Sequence, residues 1–412
     1  MAEVTRRSFV GGGALALASL SMPGATSGAA SATPLPPSIG SAERLARLAK
    51  ARALMARNGL GAILIEPGAS LDYFTGVRWS RSERLTAALI PASGDPIIVT
   101  PFFEKPSVAE TLAIPAEIRT WNEHEEPLHL VADWLKERRL TGSPLGIEET
   151  NRFFIVDRLG ARLPRQAFRN ANAVVRGCRM IKSPAEIALM QAASDITVAA
   201  IRETHGRIRE GMTPDEIGTM LEAAMVARGG SNPWSLVLLG EASAYPHGSD
   251  KPQAVRRGEV ILIDTGCAVK GYQSDISRSF VFGADPTTEQ RRVWEQVAAG
   301  QKIAHRSAQI GATAGSVDDA VRAAYTDWGY GPGYRLPGLS HRTGHGIGME
   351  GHEPVNLVHG ESTRLAPGMC FSNEPGIYLP GKFGIRLEDC FTMTPAGPRF
   401  FSTPPASIDQ PV

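Results

Sequence analysis

Four carboxylates sit inside apolar sequence in the C-terminal half of this chain. The stretch "VILIDTGCAVKGYQSDISRSFVF" carries Asp264 and Asp275, and "MCFSNEPGIYLPGKFGIRLEDCF" carries Glu374 and Glu388. Each pair flanks a turn-forming segment: Val269 to Gly271 in the first, a Pro/Gly-rich loop in the second. Asp264 is expected at the end of one strand and Asp275 early in the next, so antiparallel pairing would bring the two together. One such pair would read as hairpin-end carboxylates facing water. Two pairs flanked by "VILI" and "GIRL" ask for more, because burying charges of one sign without partners is costly. Carboxylates so placed either stay protonated or bind cations. Two divalent cations would offset four carboxylates.

The stretch "SHRTGHGIGMEGHEP", Ser340 to Pro354, holds three of the chain's nine histidines: His341, His345 and His352. His345 stands between Gly344 and Gly346, which leave the backbone room to approach, and could add an imidazole to the carboxylates. Oxygen ligands with one imidazole suit Mn, Co, Fe or Zn. For His341 a structural and a supporting role are equally open. Arg386, two residues before Glu388, shares its strand face. It could hydrogen-bond a ligand carboxylate, pair with Asp389 or another acid, or clamp a substrate carboxylate bidentately. Arg342 is open in the same ways.

The elements that must position these residues follow from periodicity. Residues 41–172 alternate helix and strand patterns. "AERLARLAKARALMARN" has helical spacing at Leu45, Leu48, Ala49, Leu54 and Met55. "GLGAILIEP" reads as a buried strand, and "RLTAALIPASGDPIIVTP" as two strands about a turn. This is a smaller α/β domain without concentrated chemistry. A boundary falls before Ser183-Pro184-Ala185-Glu186, a capping box that opens a long helix. Thr213, Pro214 and Glu216 repeat the device. Two further helices, "TTEQRRVWEQVAAGQKIAHRSAQI" and "SVDDAVRAAYTDWG", alternate with hairpins. Residues 176–405 are therefore an α+β domain with helices on a largely antiparallel sheet.

Composition narrows little. The chain has 412 residues and a formal charge of +1. It has no basic face that would mark a nucleic-acid partner. The four cysteines, Cys178, Cys267, Cys370 and Cys390, are too few for a disulfide framework. Free buried thiols are the expectation, with Cys370 and Cys390, on strands expected to pair, the pair best placed for a bridge. At the N-terminus, Arg6-Arg7 and Phe9 precede a short apolar run and Ala30-Ser31-Ala32. This reads as a twin-arginine export signal over residues 1–32, giving a periplasmic protein with no membrane span after cleavage.

The motifs "PHGSD" (246–250), "DTGCAVKGYQSDISRSF" (264–280), "HRTGHGIGMEGHEP" (341–354), "NEPGIY" (373–378) and "GIRLED" (384–389) together resemble one family. It is the metallopeptidase family of Xaa-Pro dipeptidases (prolidases) and aminopeptidase P, which share the pita-bread fold. The first α/β domain resembles the creatinase/prolidase N-terminal domain. The resemblance implies two divalent metal ions, manganese first among the candidates. Asp264 would bind one metal, His345 and Glu374 the other, and Asp275 and Glu388 would bridge. Glu374 would also serve as general base, with His352 and His247 contacting substrate, and Arg386 a candidate substrate ligand. The implied function is hydrolysis of Xaa-Pro bonds in peptide substrates by a hydroxide generated at the two metals, in a homodimer. The alternative is a non-peptidase metalloenzyme, for example a lyase, on the same fold.

Overall fold

The computed structural model describes residues 34–412, so the export signal expected over residues 1–32 lies outside the described residues. The first half contains α1 (Ser41–Asn58), β1 (Ala62–Ile65), α2 (Ala69–Thr75), β2 (Ala87–Pro91), β3 (Ile97–Pro101) and α3 (Lys105–Thr111). It continues with β4 (Glu117–Trp121), α4 (Leu128–Glu137), β5 (Leu145–Ile147), α5 (Phe153–Arg162), β6 (Phe168–Asn170) and α6 (Asn172–Arg179). Its sheet has the order β4-β3-β2-β1-β5-β6. β1, β2 and β3 pair antiparallel, and the flanking pairings are parallel.

Strands such as "AILI" are apolar on both faces because helices cover both. Period-two alternation sends Ile63 and Ile65 toward α1 and α6, and Ala62 and Leu64 toward α4 and α5. Within α1, Leu48, Ala51 and Met55 face the core as their spacing requires, but Leu45 is 44% exposed. Arg44 and Arg47 are buried instead. Both donate to the Tyr73 carbonyl, and Arg47 also reaches the Tyr272 hydroxyl in the second half. That face of α1 is an interface between the halves, which apolar periodicity does not report.

The second half contains α7 (Pro184–His205), α8 (Pro214–Ala227), β7 (Ser231–Leu239), β8 (Val260–Val269), β9 (Tyr272–Gln273), β10 (Ile276–Val281), α9 (Thr288–Ser307) and α10 (Ala314–Asp327). It ends with β11 (Gly344–Gly346), β12 (Glu353–Leu357), β13 (Cys370–Phe371), β14 (Gly376–Leu379), β15 (Phe383–Arg386), β16 (Phe391–Thr394) and β17 (Gly397–Phe400). Capping boxes open α7, α8 and α9, with Ser183/Glu186, Thr213/Glu216 and Thr287/Gln290 as the reciprocal pairs. All strand pairings here are antiparallel, in the orders β10-β8-β7, β12-β11-β13-β16-β17 and β14-β15. α7 and α8 cover one part of this sheet system, and α9 and α10 the other. The α+β class and the α/β N-terminal layer are as expected from sequence.

One local expectation is corrected. Asp264 lies in the middle of β8, not at its end. Gly266 does not stop the strand. It lets the Ser274 carbonyl pass where a Cβ would stand 2.0 Å away. The chain reverses only at Lys270 and Gly271, both with positive φ (51° and 91°), as a two-residue hairpin turn needs.

Candidate metal centre

Two registers set the carboxylates. Ser277 on β10 stands opposite Asp264 on β8, and Asp275 immediately precedes the residue opposite Thr265. In the second hairpin, Asn373 and Asp389 exchange backbone hydrogen bonds of 3.1 and 3.3 Å between the β13–β16 and β14–β15 ladders. The same register brings Glu374 opposite Glu388. β11 then lies between β12 and β13 and delivers His345. Its flanking glycines are required by crowding: a Cβ at Gly344 would meet the Ser372 carbonyl at 2.2 Å, and one at Gly346 the Glu353 carbonyl at 2.6 Å.

All five expected ligands converge. Asp264, Asp275 and Glu388 form one group, His345, Glu374 and Glu388 a second, and Asp275, His345 and His352 a third, with ligand atoms in each within 4.8 Å of one another. His345 Nε2 lies 3.3 Å from Glu374 Oε1 and 3.7 Å from Asp275 Oδ2. Its Nδ1 faces the Gly346 carbonyl at 3.1 Å and must carry the proton to donate there. The Nε2 lone pair therefore points at the carboxylates, the orientation a metal ligand needs.

The electrostatics fit a cation. Burial, with the neighbouring Asp264 and Glu374 charges, pushes the Asp275 carboxyl well up. Burial and the charges of Asp275 and Glu374 do the same to Glu388. Burial raises Glu374 to about 7, with Asp264 adding to the rise. Asp275 Oδ1 and Glu388 Oε1 are buried with no hydrogen-bond partner among the described residues. Orphaned carboxylate oxygens at the centre of a like-charged cluster are where divalent cations bind.

Arg386 is buried beside the carboxylates and also lines the cavity above them. It is 3% exposed. Its Nη2 is 2.5 Å from Asp264 Oδ2, and its Nε donates to Ser277 Oγ at 2.9 Å. Nη1 donates to the Pro246 carbonyl at 3.2 Å and the Tyr378 hydroxyl at 3.3 Å. Arg386 thus holds a candidate ligand and the loop of His247 from the wall of the cavity above the carboxylates. Asp389, the other partner considered, pairs with Arg278 at 2.7 Å.

His341 also finds its role. Its Nδ1 faces the Arg342 carbonyl at 2.8 Å, so Nε2 accepts from the Tyr378 hydroxyl at 2.7 Å, which accepts from Arg386. Burial, then the Arg386 charge, lowers His341 to about 3. It is a neutral brace for Tyr378 and Arg386.

His352 and His247 are exposed and line a cavity of about 820 Å³ above the carboxylates, with Trp234, Tyr334 and Arg342. Tyr245, two residues before His247, lies outside it. His352 is held by its neighbour. Buried Glu353 accepts from Arg179 at 2.5 Å, from Lys182 at 3.1 Å, and from the amides of Met349 and Glu350. Burial alone would raise Glu353; Lys182 and Arg179 instead hold it down at about 2. All four cysteines are free and buried. Cys370 stands opposite Thr392, not Cys390.

Sequence reading missed Ser277, whose hydroxyl lies 2.9 Å from Asp264 Oδ1 and 2.8 Å from Glu388 Oε2. It also missed Ser372, Tyr378 and Glu353. Period two from Asp275 would have placed Ser277 on the ligand face.

The chain matches two family descriptions, Metallopeptidase family M24 over residues 188–395 and Creatinase/Prolidase N-terminal domain over residues 47–181. It is 33% identical over 365 residues to a probable dipeptidase PepE of Mycobacterium tuberculosis, covering 85% of this chain and 92% of the relative. It is 31% identical over 338 residues to a Xaa-Pro dipeptidase of Lactobacillus helveticus, covering 81% and 90%. The crystal structure of dipeptidase PepE from Mycobacterium ulcerans superposes with a TM-score of 0.80 at 31% identity, covering 90% of this chain and 98% of that one. With the carboxylates, His345 and both layers of the fold in their places, the chain belongs to metallopeptidase family M24.

Proposed function

We propose that the protein is a dinuclear metallopeptidase that cleaves Xaa-Pro bonds, with dipeptides as preferred substrates. One observation carries this reading: two hairpins and a Gly-His-Gly strand bring four carboxylates and one imidazole together around orphaned buried oxygens. Asp264, Asp275, His345, Glu374 and Glu388 would hold the two cations between them. When bound, such a pair lowers the pKa of a shared water and polarises the scissile carbonyl. Glu374 takes the proton of the attacking water and passes it toward the leaving nitrogen. His352 donates to the carbonyl oxygen as negative charge develops, and His247 lines the substrate's path.

Arg342 favours a dipeptide. It lines the cavity and makes no ion pair among the described residues, so it is free to receive a terminal carboxylate close to the scissile bond. The names of relatives point the same way. Manganese suits a donor set of mostly carboxylate oxygen. The twin arginine of the N-terminus supports export to the periplasm, and the family resemblance supports a homodimer. Nothing in the site favours the lyase alternative. The test loads the protein with manganese and compares Xaa-Pro dipeptides, longer Xaa-Pro peptides and Xaa-Ala controls. Cleavage of the dipeptides at least tenfold faster than the longer peptides is expected. No hydrolysis of either Xaa-Pro set sinks the proposal.

A further inference from the structure

A second cavity, of about 450 Å³, lies between the N-terminal sheet and the catalytic half, on the far side of the His352 segment. Glu350, Glu353 and Pro354 line it, whereas Gly351 and His352 line the cavity above the carboxylates. One short strip of chain is thus a wall of both.

The charges around this second cavity do not all pair. Arg179 bonds Glu350 and Glu353 at 2.7 and 2.5 Å, and Arg176 pairs with Glu149. Two groups are left. Glu148 is only 7% exposed. One of its oxygens accepts from the Ser70 hydroxyl, itself held by Arg179 at 2.9 Å. The other has no hydrogen-bond partner among the described residues. Glu148 thus lies on the cavity wall with no lysine or arginine in ion-pair range among the described residues. The second group is Arg81, on the exposed rim. Its Nε donates to the Pro67 carbonyl at 3.1 Å and its Nη2 to the Thr150 hydroxyl at 2.9 Å, with no carboxylate in ion-pair range among the described residues. Half-buried Trp79 adds an aromatic face.

An unpaired anion and an unpaired cation on one small cavity complement a zwitterion. We infer that this cavity is a second ligand site, separate from the metal centre, and that it takes a free α-amino acid. The ammonium group meets Glu148, the carboxylate meets Arg81, and the side chain lies against Trp79. The inference does not depend on the peptidase reading, because its groups lie outside the metal centre.

Calorimetric titration of the full-length protein with L-proline and L-leucine tests it. Binding is expected in wild type and, within threefold, in Asp275→Asn. Glu148→Gln and Arg81→Gln should each weaken it at least tenfold. L-Proline amide, lacking the carboxylate, and N-acetyl-L-proline, lacking the ammonium, should bind at least tenfold more weakly. Thermal melting confirms that each variant is folded, and Arg81→Gln, at the rim, carries the test if Glu148→Gln is not. No binding at millimolar amino acid, unchanged affinity in the folded variants, or loss of binding in Asp275→Asn would each overturn the assignment.

Discussion

Ser277→Ala is the most informative single change the structure offers. Its hydroxyl sits 2.9 Å from Asp264 Oδ1, 2.8 Å from Glu388 Oε2 and 2.9 Å from Arg386 Nε. A hydroxyl has one hydrogen, so it satisfies one carboxylate at a time while accepting from the guanidinium. Removing it leaves Arg386 Nε buried without that acceptor and lets two expected metal ligands turn. Hydrogen bonds to charged groups contribute about 1.5–3 kcal/mol each. Removing a group that orients metal ligands costs roughly 10–100-fold in affinity, or about 1.4–2.7 kcal/mol. We expect the dissociation constant for Mn²⁺ to rise by that factor, measured by calorimetric titration of the metal-stripped protein. Ser279→Ala is the matched control. Ser279 is also a buried serine on β10, but it bonds only the Arg386 backbone, at 2.9 and 3.1 Å. It should cost about 1 kcal/mol of stability and leave metal affinity within threefold. Unchanged affinity in Ser277→Ala would refute the reasoning. Equal weakening by both variants would also refute it, since general damage to β10 would then explain the loss.

Metal affinity should fall with pH, because a carboxyl raised to about 7 is ionised at pH 8 and mostly protonated at pH 6. The cation must then displace that proton, and Asp275 and Glu388, also raised, add to the effect. Affinity should drop at least about tenfold from pH 8 to pH 6; equal dissociation constants at the two values would contradict it. Arg342→Met should raise KM for Xaa-Pro dipeptides at least tenfold with a small change in kcat, while dipeptide amides lose nothing. A parallel loss for both substrates would remove Arg342 from carboxylate recognition. Glu353, held at about 2 against an ordinary value of 4.5, contributes stability that is present above pH 4.5 and lost as pH falls toward 2. The contribution is about 3 kcal/mol, so Glu353→Gln should flatten the acid limb of a denaturation profile, and an unaltered limb would show that Arg179 and Lys182 do not stabilise the carboxylate.

The candidate ligand residues were legible because their signal is local. A carboxylate inside an apolar strand, a histidine between glycines, and a Ser-Pro-x-Glu cap are each read within a few residues, and the structure places each of them as its neighbours imply. What stayed hidden depends on partners far along the chain. Ser277 reads as strand filler until Glu388 arrives from 111 positions away. Glu353 looks like one more surface acid until Arg179 meets it across 174 positions. Arg386 had three possible acceptors in sequence, and only the β8–β10–β15 arrangement assigns it to Asp264. The error at Asp264 is more local: Gly266 continues β8 because the nearby Ser274 carbonyl needs the space a Cβ would take.

Unequal support within the carboxylate cluster carries a consequence for folding. Asp264 has a guanidinium and a hydroxyl beside it, whereas Asp275 Oδ1 and Glu388 Oε1 have nothing. One of the four charges is therefore offset by the chain itself. The other three have no lysine or arginine in ion-pair range among the described residues, and burial makes their ionised forms costly. Without cations the fold must keep protons on them, which is why Asp275, Glu374 and Glu388 are all raised. Around the centre the fold braces several groups: Ser372 hydrogen-bonds the His345 amide, Tyr378 braces Arg386, and Glu353 fixes the His352 segment. A scaffold that orients its ligands so firmly while leaving their charges unmet stores the orienting work in the fold and leaves the neutralising work to the metal. Metal affinity and folding stability are in this way two readings of the same buried charge.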